Sequence, residues 1–186
     1  MDTTPPVFTS APENLNLDCS AVIPAAEVLT AVDGCNNAVV EASVVETTTA
    51  GACASNYTIE RVYTATDVCG NSSSVTQLIV VTDTQSPVFS TDNATSFTYE
   101  CDEVVAVITP LVSDDCSEFE LQYADVTTGD VCATYIARTW TASDACGNSS
   151  SFIQNISVLD TEAPTAEFDV QINRPCDDAA GIYATA

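Results

Sequence analysis

The sequence predicts an all-β chain of tandem immunoglobulin-like β-sandwich modules, stapled by disulfides and arranged end to end. Three observations predict it. The pattern D-T-x-x-P occurs three times, starting at Asp2, Asp83 and Asp160. A longer block, I-E-R-V-Y-T-A-T-D-V-C-G-N-S-S-S from Ile59, returns from Ile136 as I-A-R-T-W-T-A-S-D-A-C-G-N-S-S-S. Four cysteines also recur in order, Cys19 with Cys101, Cys35 with Cys116, Cys53 with Cys132 and Cys69 with Cys146. A fixed period of this kind marks repeated structural units.

D-T-x-x-P is therefore a seam that closes one module and opens the next. It divides the chain into module 1 (residues 1–82), module 2 (83–159) and the start of a third, incomplete module (160–186). Within each module, segments rich in Val, Thr, Ile and Tyr alternate at period two between Gly, Asn, Asp and Pro clusters, which is the pattern of strands and turns. Residues 27–32 read as an early strand, and residues 75–81 and 152–159 as last strands. D-x-C-G-N precedes each last strand and predicts a hairpin turn. No helix longer than a turn is expected. Several short strands in about 80 residues fit a small sandwich. At the seam, proline fixes its own φ near −65° and biases the preceding residue toward an extended shape. About five residues between modules cannot form a slack tether, because even an extended chain spans only ~3.3–3.6 Å per residue.

Composition excludes several functions. Across 186 residues there are 27 acidic side chains, three arginines, no lysine and no histidine, for a net charge of −24. Such a surface repels nucleic acid and anionic lipid. Without histidine there is no ordinary acid–base residue for neutral pH and no imidazole metal ligand. No apolar run approaches the ~20 residues that span a bilayer, so direct membrane insertion is not expected. No export signal is visible, and Met1, the only methionine, reads as the start of a segment of a longer exported protein.

Four cysteines in each small module read as a disulfide framework in an oxidising compartment. A four-thiolate zinc site usually brings close C-x-x-C pairs, which this chain lacks. Four cysteines allow three connectivities. Strand ends in a sandwich alternate between two poles. Cys35 and Cys69 fall at one, Cys19 and Cys53 at the other. The expected bridges are Cys19–Cys53 and Cys35–Cys69, then Cys101–Cys132 and Cys116–Cys146, leaving Cys176 as the one free thiol.

These residues carry a resemblance. D-T-x-x-P-V-F, D-x-C and R-x-[Y/W]-T-A-x-D-x-C-G-N-S resemble the hyalin-repeat (HYR-like) modules, and more closely the cysteine-containing type found in tandem in large surface adhesins of Bacteroidetes-type bacteria. The resemblance covers residues 2–159, with a partial copy beyond. It implies an immunoglobulin-like fold, an extracellular location and a role in adhesion or as a spacer, with no catalytic residues.

Aspartates recur in equivalent places, Asp2, Asp33 and Asp67, then Asp83, Asp114 and Asp144. Converging carboxylates at a junction could hold Ca²⁺, which takes six to eight oxygens, with Asp115 as a further ligand. The competing reading is that each aspartate caps its own turn, and it accounts for the placement without a metal. Arg61 and Arg138 are expected in structural roles. Counting back from the hairpin turns places Arg61 opposite Gln77 and Arg138 opposite Gln154, with each guanidinium stacked on the aromatic two residues on, Tyr63 or Trp140. Trp140 is expected in the core. Five N-x-S/T sequons, at Asn56, Asn71, Asn93, Asn148 and Asn155, are expected by chance in so Ser- and Thr-rich a chain.

The sequence thus points to a non-catalytic stalk or adhesive segment of a cell-surface or secreted protein. Its expected partners are neighbouring modules and a protein or glycan ligand. The alternative is a carbohydrate-binding accessory module of a secreted protein. A hydrolase lacks a recognisable nucleophile–base pair.

Overall fold

The last strand of the first repeat ends at Thr82 and the first of the second begins at Val88, so the seam is as short as the sequence demands. The structure, a computed structural model, describes residues 2–130, 133–163 and 165. The start of the third module, including Cys176, lies almost wholly outside them. The described residues contain strands and no helix, so no helix is long and apolar enough to cross a membrane.

The strands of the first repeat are β1 (Val7–Phe8), β2 (Leu15–Asp18), β3 (Thr30–Val32), β4 (Val39–Glu41), β5 (Ser43–Ala50), β6 (Tyr57–Thr66) and β7 (Ser72–Thr82). Those of the second are β8 (Val88–Phe89), β9 (Ser96–Glu100), β10 (Val112–Ser113), β11 (Phe119–Gly129), β12 (Ala133–Asp144) and β13 (Ser149–Leu159). One sheet of the first repeat runs β1-β3-β4 and the other β2-β7-β6-β5. The second repeat has β10-β8 and β11-β12-β13-β9. Among the described residues, no sheet joins the two repeats.

The central hairpins follow from their turns. Gly70 and Gly147 have φ of 90° and 93°, a region where a side chain is strained. The turn is closed by Asp67 N–H donating to the Asn71 carbonyl at 2.9 Å, and Asp144 N–H to Asn148 at 3.0 Å. Alternation then buries Ile59, Arg61, Tyr63 and Ala65 on one face of β6. Ile59, Ile79 and Val81 form a core on which Leu15, Leu17, Ile23 and Tyr57 pack. Each such side chain, fully buried, contributes about 1.5–3 kcal/mol.

Two features differ from the expected elements. The strand read over residues 27–32 is regular only from Thr30. In addition, β2 pairs in parallel with β7, Leu15 beside Ile79 and Leu17 beside Val81, and β9 pairs likewise with β13. The parallel partner puts leucines of β2 over the hydrophobic centre.

Paired arginines and glutamines hold the strandless segments of both repeats. Arg61 lies opposite Gln77 and Arg138 opposite Gln154. Arg61 Nη2 donates to the Pro24 carbonyl at 2.7 Å, and Gln77 Nε2 to the Glu13 carbonyl at 2.7 Å. Arg138 Nη1 and Gln154 Nε2 reach the Ala106 and Ile108 carbonyls at 3.3 and 3.1 Å. Backbone carbonyls without a ladder partner are thus engaged by side chains that reach out from the sheet. Glu46 accepts from Arg61 Nε at 2.6 Å, and Asp125 grips Arg138 through two bonds of 2.9 Å. The Arg138 guanidinium stacks on Tyr123, 4.7 Å from its ring centre, and not on Trp140 as expected. Trp140 is buried, packs against Tyr123 at 4.9 Å, and donates Nε1–H to Gln154 at 2.7 Å. The indole thereby makes the bond to the glutamine oxygen that Arg61 Nη1 makes to Gln77 Oε1, at 3.4 Å, in the first repeat. β11, the strand across from β12, supplies an aromatic that counting along one hairpin could not reveal.

Candidate functional site: the junction between modules

Each D-x-C segment forms a tight turn in which the aspartate carboxylate receives the cysteine's own N–H. Cys35 N donates to Asp33 Oδ1 at 2.8 Å, Cys69 N to Asp67 Oδ1 at 2.8 Å, Cys116 N to Asp114 Oδ1 at 3.0 Å and Cys146 N to Asp144 Oδ1 at 2.9 Å. This is the local chemistry by which Asp fixes a turn. It also presents each cysteine at the tip of its loop, on the pole where the module begins.

The bridges do not close within modules. Cys19 is bonded to Cys116 and Cys53 to Cys146, with Cα–Cα distances of 5.8 and 5.2 Å, inside the range a disulfide requires. The expected Cys19–Cys53 and Cys116–Cys146 pairings are therefore corrected. So is Cys35–Cys69, since both thiols are free and exposed. Cys101 is also free and exposed, and Cys132, its expected partner, lies outside the described residues. The expectation of a single free thiol at Cys176 falls with these pairings. Assigning cysteines to poles stands: Cys19 and Cys53 share the far pole of module 1, and their partners share the near pole of module 2. The assumption that failed was that each module is a closed unit. The short seam brings two poles together, and the nearest available sulfur belongs to the neighbour.

Hydrogen bonds reinforce the contact. Ser55 Oγ donates to the Cys116 carbonyl at 2.7 Å, and Asp83 N–H to Asn56 Oδ1 at 2.6 Å. Asp83 Oδ2 accepts from Ser117 Oγ at 2.7 Å, and Asn148 Nδ2 donates to the Asp83 carbonyl at 3.3 Å. Asp83 is 5% exposed, so the seam aspartate sits sealed inside the joint.

The expected carboxylate groups are only partly assembled. One oxygen each from Asp83, Asp114 and Asp144 lies within 4.8 Å of the others. Asp114 Oδ2 is buried with no hydrogen-bond partner. Asp115 is exposed and outside the group. In module 1, Asp2 and Asp33 gather with Cys35, and Asp67 is not among them. Burial pushes the Asp144 carboxyl up, but bonds from the Asn148 side chain and from the Asn148, Cys146 and Gly147 backbones outweigh it and hold the carboxyl below its usual range. Asp67 follows the same balance, with Asn71 and Cys69 as donors.

Comparison with known proteins agrees with this reading of the first repeat. Residues 7–81 match the family model described as "HYR-like domain with 4 cysteines". Solved structures with similar folds include the protocadherin gamma-B4 extracellular domain, 11% identical, over 86% of this chain and 35% of that one, with a TM-score of 0.37. Drosophila N-cadherin EC1-4 is 13% identical over 86% of this chain and 50% of that one, with a TM-score of 0.35. The tandem immunoglobulin repeats of Dlar are 12% identical over 83% of this chain and 98% of that one, with a TM-score of 0.26. The chain spans between about a third and a half of the first two. No curated protein matches it. The family match thus covers the first repeat and stops within its last strand.

Proposed function

We propose that the chain is a non-catalytic stalk or adhesive segment of a large cell-surface protein, in which tandem HYR-like modules are held in line by a joint that cannot swing freely. One observation carries this reading. Both disulfides among the described residues cross the junction, where they fix the angle between modules instead of stapling each core. Two attachment points prevent rotation that a single tether would permit. The alternative of a flat glycan platform loses its best candidate, because Trp140 is buried.

The same proposal places Ca²⁺ among Asp83, Asp114 and Asp144. Support comes from their proximity and from the buried, partnerless Asp114 oxygen. Backbone carbonyls and water would complete the six to eight oxygens this ion takes.

Small-angle scattering of oxidised protein tests both parts, with calcium and with chelator. The expected result is an extended pair whose dimensions spread when the bridges are reduced. A folded-back pair in both conditions overturns the stalk. An extended pair indifferent to calcium retains the stalk and removes the metal.

A further inference from the structure

The near pole of module 1 repeats, group by group, the pole of module 2 that is already joined. Asn71 Nδ2 donates to Asp67 Oδ2 at 2.8 Å and to the Asp2 carbonyl at 3.3 Å. Asn148 Nδ2 donates to Asp144 Oδ2 at 2.8 Å and to the Asp83 carbonyl at 3.3 Å. Cys35 and Cys69 stand on the same aspartate-capped turns as Cys116 and Cys146. The difference is that Cys116 and Cys146 are bonded while Cys35 and Cys69 are free and exposed. Cys101, the counterpart of Cys19 at the far pole of module 2, is likewise free and exposed.

We propose that the Cys35–Cys69 pole is the receiving half of a second doubly bridged joint, and that its occupant is the far pole of another HYR-like module carrying the Cys19 and Cys53 pair. The occupant is specified by the joint already present. Cys35 takes the Cys19-type sulfur and Cys69 the Cys53-type sulfur. A serine like Ser55 reaches the Cys35 carbonyl, and an asparagine like Asn56 receives the Asp2 N–H. Cys101 offers the corresponding donor sulfur at the other end, so the joint can propagate along an array. Two cysteines on capped turns are thus one interface, read from a filled copy of itself.

Each bridge forms when two thiols lose two protons and two electrons. A disulfide oxidant accepts the electrons and is itself reduced to two thiols, through a mixed-disulfide intermediate. Such an oxidant is a disulfide-bearing oxidoreductase in an oxidising compartment, or oxidised glutathione in the tube.

The inference rests on the repeat reading of the chain, and the test separates the two. A second copy of residues 2–82 is joined directly ahead of Asp2, so that its final threonine meets Asp2 as Thr82 meets Asp83. After refolding with oxidised and reduced glutathione, non-reducing peptide mapping should link Cys35 to the copy's Cys19 and Cys69 to the copy's Cys53. Both thiols should then resist alkylation. Serine at the copy's two donor cysteines should restore alkylation. Cys35 joined to Cys69, crossed pairing, or continued alkylation of both overturns the proposal. The unextended chain, oxidised at high concentration, gives a second measurement: Cys35–Cys101 links between molecules are expected, and Cys35–Cys35 links count against it. If Cys19–Cys116 and Cys53–Cys146 map as seen while Cys35 and Cys69 stay free, the stalk reading survives and only its extension fails.

Discussion

The pole at which module 1 begins and the pole at which module 2 begins are built from the same residues, yet they are in different chemical states. In both, aspartates cap turns and an asparagine ties the last turn to the seam. At module 2, a neighbour covers the pole. Asp83 is sealed and both cysteines are oxidised. At module 1, Asp2 is only half-buried and Cys35 uses its thiol hydrogen to bond the Asp2 carboxylate at 2.9 Å. The turn chemistry is local and places the sulfur. The partner is decided by what lies opposite.

The largest effect expected from this contrast is on the covered pole. Replacing Cys19 and Cys53 together by serine removes both bridges. Loss of a native disulfide in a small secreted domain costs about 2–5 kcal/mol, so chemical denaturation should show a large loss in stability. The C35S/C69S double variant removes no disulfide from this chain and leaves a hydroxyl to bond Asp2, and its change should stay within ~0.5 kcal/mol. Equal losses from the two pairs would erase the distinction between the poles.

A smaller effect is expected at the seam aspartates. Asp83 accepts from Ser117 and from the Gln85 backbone within a sealed joint. Asp83→Ala strands these donors and should cost about 1–3 kcal/mol. Asp2→Ala, at the open pole where water can replace the carboxylate, should shift the melting temperature much less. If the two variants melt alike, burial of the joint does not control the energetics. Melting curves in the presence of reductant add a further arm: opening the joint should bring the Asp83 variant toward the Asp2 one.

How much of this was legible in sequence depends on range. The period is written in the repeated motifs, and the hairpins and the opposition of Arg61 to Gln77 could be counted from the turn. Assigning cysteines to poles was also readable, because strand ends alternate. The parallel pairing of β2 with β7 and the Tyr123 ring beneath Arg138 were not, since both depend on which distant strand becomes the neighbour. The disulfides failed for the same reason at a larger scale: Cys19 and Cys116 are 97 residues apart. One signal could have pointed to them. A seam too short to separate the modules implies that cysteines on facing poles compete with those within a module.

The smallest effect concerns reactivity at the open pole. The Asp2 carboxylate accepts the Cys35 thiol hydrogen and pushes that thiol above its usual range, partly opposed by a bond involving Thr4 and reinforced by burial and by the charges of Asp2 and Asp33. The thiolate is the species that reacts. A raised thiol pKa leaves less thiolate at any pH below it, so Cys35 should alkylate more slowly near pH 8 than an unstructured peptide thiol, and the gap should close as pH rises through the thiol's titration. Asp2→Asn removes the charge and weakens the acceptor. It should lower the thiol pKa and speed alkylation at pH 8, without changing the Cys19–Cys116 and Cys53–Cys146 map. Pulsed alkylation with mass-spectrometric readout at Cys35 measures this. An unchanged rate in the Asp2→Asn variant would show that the carboxylate does not hold the thiol. The reserve matters for assembly: each thiol of a bridge attacks once, one on the oxidant and one on the mixed disulfide, so a sulfur kept protonated by its own seam slows closure at this pole whichever step it takes.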